Sequence, residues 1–302
     1  MLSTPVSDDL TSAAEPHAAR VGRARLAVSA FLTLTLLISG VFQWLLLRTG
    51  DPIEKHVGLV LGLMWTPGLV SIALRLVLRE GFADVSFRLG GWRGVRWSLW
   101  AWVYPLAIGG AAYGLAWATG LAHFGFPARD TALSALAPNV RFFVLLALTC
   151  SIGVVLSAIS AAGEEIGWRG YLLTRLVEAR VPKPVLTSGL IWGFWHVPLI
   201  LSGQYASGPY PALSALLFMV SIVAAGYFVA RLRLESGSVW PAILMHSAWN
   251  SIIQGSFDGA TQGQNVFVGE SGVFVAGFSV LFALVFGRGV WKRFRSPGVP
   301  VP

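Results

Sequence analysis

The chain has a single cysteine, Cys150, and it lies inside an apolar stretch. One thiol can form neither an intramolecular disulfide nor a cysteine zinc cage. At that place it reads as a small buried apolar residue. Charge is equally scarce. Only 12% of the 302 residues are Asp, Glu, Lys or Arg, against roughly a quarter in soluble globular chains. With 55% apolar residues and a mean hydropathy of +0.68, a soluble fold is excluded. No internal repeat, low-complexity tract or second soluble domain is visible. The formal charge of +8 would suit a nucleic-acid binder only if the arginines gathered on a polar domain or along a helix. They sit between apolar blocks instead, which excludes nucleic acid as a partner and makes the lipid bilayer the first one.

Eight apolar blocks are present: 26–47, 57–78, 97–121, 142–163 (continuing as a helical pattern to 177), 184–202, 211–230, 238–256 and 271–287. A hydrocarbon core of about 30 Å takes roughly 20 helical residues to cross. Only helices or closed barrels satisfy backbone polar groups in lipid, and runs this long do not fit the alternating strands of a barrel. The pattern predicts an all-α polytopic membrane protein with about eight transmembrane helices. Residues 1–22 are polar and of mixed charge, which predicts a disordered cytoplasmic tail and not a cleaved signal peptide. The remainder divides into three N-terminal helices (23–141), a core of four helices (142–256), and a last helix with a basic tail (257–302).

The basic residues test this count. With the N-terminus inside, sixteen fall in the tails or in 79–96, 175–183, 231–233 and 288–295; four, Arg48, Lys55, Arg129 and Arg141, fall in the alternate segments. Arg75 and Arg169 remain within helices. A wrong count would mix the two sets, so the split predicts a protein of the cell membrane with both termini cytoplasmic. Trp92, Trp97 and Trp291 near block edges suit interfacial anchoring.

Ionisable groups inside a membrane helix cost about 2.5–3.5 kcal/mol each on insertion scales, so each one is a functional hypothesis. The fourth helix reads Gly163-Glu164-Glu165-Ile166-Gly167-Trp168-Arg169. Glu165 and Arg169 are one turn apart and can pair, which by itself is a structural salt bridge. Glu164 points about 100° away and has no obvious local partner. The fifth helix holds Trp192 and His196, and the seventh holds His246 and Asn250, again one turn apart. A lone membrane histidine can equally be a helix–helix hydrogen-bonding residue. His17, His56 and His123 lie in polar segments, where solvation is the default.

Depth argues for a common purpose. Glu164 lies about 16 Å inside Arg175 at 1.5 Å per residue, and His196 and His246 lie about 20 Å inside Lys183 and Arg233. A water-filled cavity open to the cytosol would let the three converge. A carboxylate beside an imidazole can hold a water and take its proton during attack on a carbonyl. A second imidazole and a carboxamide can donate to the oxyanion. Glu164, His196 and His246 could alternatively bind a divalent metal such as zinc, although no H-E-x-x-H is present.

The set E-E-x-x-x-R (Glu164, Glu165, Arg169), aromatic-x-x-x-H (Trp192, His196) and H-x-x-x-N (His246, Asn250) resembles the motifs of the CAAX-protease and bacteriocin-processing family, also called the abortive-infection or type II CAAX prenyl endopeptidase family. The resemblance covers roughly Phe142 to Gly255. It implies an eight-helix intramembrane endopeptidase, commonly labelled a metalloprotease. Glu164 and His196 would activate water, His246 and Asn250 would hold the oxyanion, and Glu165, Arg169 and Trp192 would support them. Trp192 stands where the second motif usually has phenylalanine, and Phe194 is out of register with it. The substrate implied is a membrane-associated or lipid-modified peptide or protein, with no required metal as the first choice and zinc as the alternative. A non-enzymatic immunity or scaffold protein of the same fold is the rival reading, and a transporter a weaker one, since repeat symmetry is missing.

Overall fold

The computed structural model describes residues 17–126, 133–263 and 265–295. The chain is an all-α polytopic membrane protein. Each apolar block forms a helix: α1 (His17–Thr49), α2 (Val57–Val77), α3 (Gly91–Ala118), α4 (Pro138–Glu178), α5 (Pro184–Leu201), α6 (Pro211–Ser236), α7 (Trp240–Ala248) and α8 (Val273–Phe286). Among the described residues, the first six are long and apolar enough to cross a membrane. The seventh reaches comparable length only through a π-helical continuation, Trp249–Phe257. At 14 residues, α8 spans about 21 Å, short of a hydrocarbon core. Its first predicted residues, Ser271 and Gly272, form a turn instead. The only strands among the described residues are His123–Phe124 and Thr261–Gln262, an antiparallel pair joining two loops.

The predicted tail 1–22 is partly overturned. Helix α1 begins at His17, so 17–22 are helical, while residues 1–16 lie outside the described set, as does Arg129. Polarity runs inside-out, as lipid requires: Leu26, Leu37, Val77, Phe143, Val155 and Leu216 face outward. Trp92 is exposed, but Trp97 is not the interfacial anchor predicted. It is buried, with the Arg231 guanidinium 5.4 Å from its ring centroid.

Small residues bring the site-bearing helices together. A Cβ on Gly163 would sit 2.7 Å from the Trp65 Cα, and one on Gly167 would sit 2.4 Å from Pro67. Glycines four apart thus let α4 lie backbone to backbone on α2, the close approach typical of such pairs in membranes. The same device acts in α5, where Gly189 and Gly193 face Val223 and Met219 of α6.

Helix α4 is not regular. It widens into π-helix at Thr149–Gly153 and again at Trp168–Leu172. Backbone carbonyls there are met by neighbours: Trp102 Nε1 donates to Cys150 O at 2.9 Å, and Ser251 Oγ to Thr149 O at 2.8 Å. Ser251 itself belongs to the π stretch that continues α7. Such turns cluster at functional positions because they re-aim side chains.

At the end where α2, α4 and α6 meet the 79–90 connection, charges are packed inside. Arg75 binds Asp84 and donates to Gly170 O at 2.9 Å. Arg175 reaches Glu80 and Asp84 at 2.9 Å and Glu178 at 2.8 Å. Arg233 caps Asp84 O. Arg175 and Arg233, read from the sequence as cytoplasmic-face residues, are therefore buried in an ion-pair layer.

Candidate active site

Glu164 and Glu165 follow Gly163, so the close α2–α4 contact places both carboxylates in the protein interior. Their different angular positions send them to different partners. Glu165 Oε1 accepts from Arg169 Nη1 at 2.8 Å, as its one-turn spacing predicts. The same oxygen meets His246 Nδ1 at 2.8 Å, a contact between distant helices that no local spacing announces. Glu164 Oε2 instead accepts from Trp192 Nε1 at 2.8 Å.

Trp192 is the centre of the arrangement. Its indole N–H holds Glu164, and its carbonyl accepts from His196 Nδ1 at 2.8 Å. The Arg169 guanidinium carbon lies 3.8 Å from its ring centroid, a cation–π contact. The His246 ring meets its edge at 5.5 Å. A phenylalanine at this position would keep the ring contacts and lose the bond to Glu164.

The two histidines have the same polarity. A carbonyl and a carboxylate only accept, so Nδ1 of each ring carries the proton. In His196 it is spent on Trp192 O and in His246 on Glu165, which leaves both Nε2 atoms for the cavity. Aromatic neighbours fix the His196 ring: Trp195 at 4.8 Å, Phe218 at 5.0 Å and Tyr205, stacked, at 5.7 Å.

Glu164, His196, His246 and Asn250 all line one cavity of about 690 Å³. The four side chains do come together. The rest of its lining comes from the connections 52–57, 203–208 and 258–271 and the adjoining helix ends. Those segments lie at the end of the bundle opposite the basic one. His196 is only five residues from the end of α5 at Leu201. Counting from the nearest arginine measured the depth of these residues and left open which end the cavity meets.

Several residues at the site carry no motif. Glu270, buried in the connection before α8, accepts from Trp249 Nε1 at 2.6 Å and Gln254 Nε2 at 3.0 Å. Asp258 accepts from Tyr113 OH. Burial pushes the Asp258 carboxyl up to about 7, opposed by the Tyr113 bond and assisted by the nearby Glu270 charge. The one sequence signal for this pair is that both are acids in an otherwise uncharged stretch, 257–273. As for a metal, no three His, Cys, Asp or Glu side chains among the described residues are spaced to hold one. The set Glu164, His196 and His246 is not assembled as ligands, and the metalloprotease label gains no support.

Fold and site together define a polytopic membrane protein with a polar Glu/His cavity sunk among its helices. Residues 142–252, which contain all three motifs, match the family described as type II CAAX prenyl endopeptidase Rce1-like. A curated relative, CAAX prenyl protease 2 of Methanococcus maripaludis, is 33% identical over 94 residues, which is 29% of this chain and 34% of the relative. The chain thus spans about a third of that relative's length. Over this region the chain is similar to the CAAX-protease family.

Proposed function

We propose that the protein is an intramembrane endopeptidase of the cell membrane, with both termini cytoplasmic, acting on membrane-associated or lipid-modified polypeptides. The observation that carries this reading is the pairing of Glu164, held by Trp192, with two histidines whose Nε2 atoms are left for the same cavity.

A water seated between Glu164 and His196 Nε2 gives its proton to the Glu164 carboxylate as its oxygen attacks the scissile carbonyl carbon. The carbonyl oxygen becomes an oxyanion, which accepts from the Asn250 amide N–H and from His246 Nε2. With Nδ1–H committed to Glu165, Nε2 donates when the ring carries both protons. The C–N bond then breaks and Glu164 returns the proton to the leaving amine. No step passes through a metal. Glu165 and Arg169 act as positioning residues, one holding His246 and the other packing against Trp192.

The test is cleavage of a peptide library by purified full-length protein in detergent. Glu164→Gln is nearly isosteric and keeps the Trp192 bond, so it is expected to abolish cleavage while thermal unfolding stays close to wild type. Cleavage surviving in that variant would falsify the assignment of the base.

A further inference from the structure

A second hollow, of about 730 Å³, lies on the outer face of the bundle between α5, α6 and α8. It shares no lining residue with the cavity that holds Glu164. Its walls are apolar, with Leu190 from α5, Met219 and Val223 from α6, and Val280 and Leu284 from α8. Ala224 and Ala283 line it too, and two such short side chains on adjoining helices leave a furrow between α6 and α8. Val220, Val280 and Leu284 are exposed, so the furrow is open to whatever surrounds the helices. In a bilayer that is acyl chain. From Met219 to Tyr227 the furrow follows α6 for about 12 Å, at the helical rise per residue.

One end of the furrow differs in kind. Helix α8 closes on Gly287, where a Cβ would sit 2.6 Å from the Tyr227 Cβ. The backbone then turns at Gly289, with φ +75°, and Lys292 N donates to Gly289 O at 3.1 Å. Val290 is buried in a cluster with Leu173, Val185 and Ala230, which pins the turn to the bundle. Arg288 and Lys292 are thereby set on the lining of the furrow, both exposed, and neither makes an ion pair with a described residue. No acidic side chain among the described residues lines it. Trp291 and Tyr227 meet edge to face at 5.8 Å at the same end. Basic pockets between membrane helices take anionic lipid headgroups, and Trp and Tyr rings settle at headgroup level. A guanidinium and an ammonium both donate charge-assisted hydrogen bonds to phosphate. A free phosphate would use the two cations alone and leave the apolar furrow uncovered. We propose that the furrow binds one anionic phospholipid, its phosphate held by Arg288 and Lys292 and an acyl chain laid between α6 and α8.

The measurement needs no catalytic activity. Full-length protein in detergent is offered equimolar phosphatidylglycerol and phosphatidylcholine of identical acyl chains, and bound lipid is read by native mass spectrometry. One phosphatidylglycerol per chain is expected to be retained, about tenfold in preference to phosphatidylcholine. Arg288→Gln with Lys292→Gln is expected to cut that preference to about twofold or less. Arg79→Gln with Arg88→Gln removes the same charge from exposed positions outside the furrow and is expected to leave the preference intact. All four side chains are exposed, so both double variants should unfold at the wild-type temperature in lipid-free detergent. Glycerol 3-phosphate in large excess, which has the phosphate without the acyl chains, is expected not to displace the lipid. Equal retention of the two lipids, equal loss of preference in both double variants, or displacement by glycerol 3-phosphate overturns the inference. So does a second copy of the chain in place of the lipid.

Discussion

Trp192 shows how much one side chain decides here. By sequence it is a minor departure from the phenylalanine of its motif; in the fold its N–H is the donor to the candidate base. Trp192→Phe is expected to lower kcat by about ten- to a hundredfold with little change in KM, the worth of one hydrogen bond to a charged group. An unchanged kcat would show that Glu164 needs no such support. Arg169→Ala leaves Glu165 buried with only His246 beside it. Breaking a buried pair in this way costs about 3–5 kcal/mol, so thermal stability and yield should fall before any specific catalytic effect is visible. Asp258 gives a pH signature. Its carboxyl ionises near 7, facing Tyr113 from α3 and Glu270 from its own connection. A raised carboxylate is neutral below that value and charged above it. Cleavage should therefore show an inflection near pH 7 in wild type that Asp258→Asn lacks, read from the pH profile of kcat/KM.

At the scale of elements, the eight helices were legible because each needs only a long apolar run. Their irregularities were not. Nothing in a hydropathy pattern marks Thr149–Gly153, Trp168–Leu172 or Trp249–Phe257 as π-helical, since the extra residue per turn is stabilised by donors from other helices such as Trp102. Gly163 and Gly167 of α4 carry no reading of their own in the sequence. Their function is contact with α2, and it predicts a contrast. Gly163→Ala should cost about 1–3 kcal/mol by overpacking, read as a lower unfolding temperature. Gly110→Ala in α3, with nothing within 4 Å of the new Cβ, should be neutral or slightly stabilising. Equal destabilisation of the two would remove the close-packing explanation.

For the whole molecule, metal dependence separates two mechanisms that share residues. Asparagine is an uncommon zinc ligand, and Glu164, His196 and His246 do not assemble as a ligand set. Chelation is expected to leave cleavage largely intact, and elemental analysis of active protein to find no stoichiometric zinc. Zinc whose removal and return switched activity off and on would overturn the metal-free mechanism. The ion-pair layer at the basic end makes a separate prediction. Asp84→Asn strips compensation from Arg75 and Arg175 at once, so it should destabilise the bundle far from the cavity and leave KM of the surviving folded protein unchanged.

The sequence by itself determined membrane insertion, the helix count, and which polar residues are costly enough inside lipid to have a purpose. Those properties are sums over local stretches, and the hydrophobic effect reads them one helix at a time. The three motifs added the resemblance to a family. Tertiary structure alone decided that Glu165 meets His246, that Trp192 holds Glu164, and that the cavity meets the end with few basic residues. Each of these depends on how helices far apart in sequence rotate and lean against one another. That is set by side-chain packing between them, and no periodicity within a single segment records it.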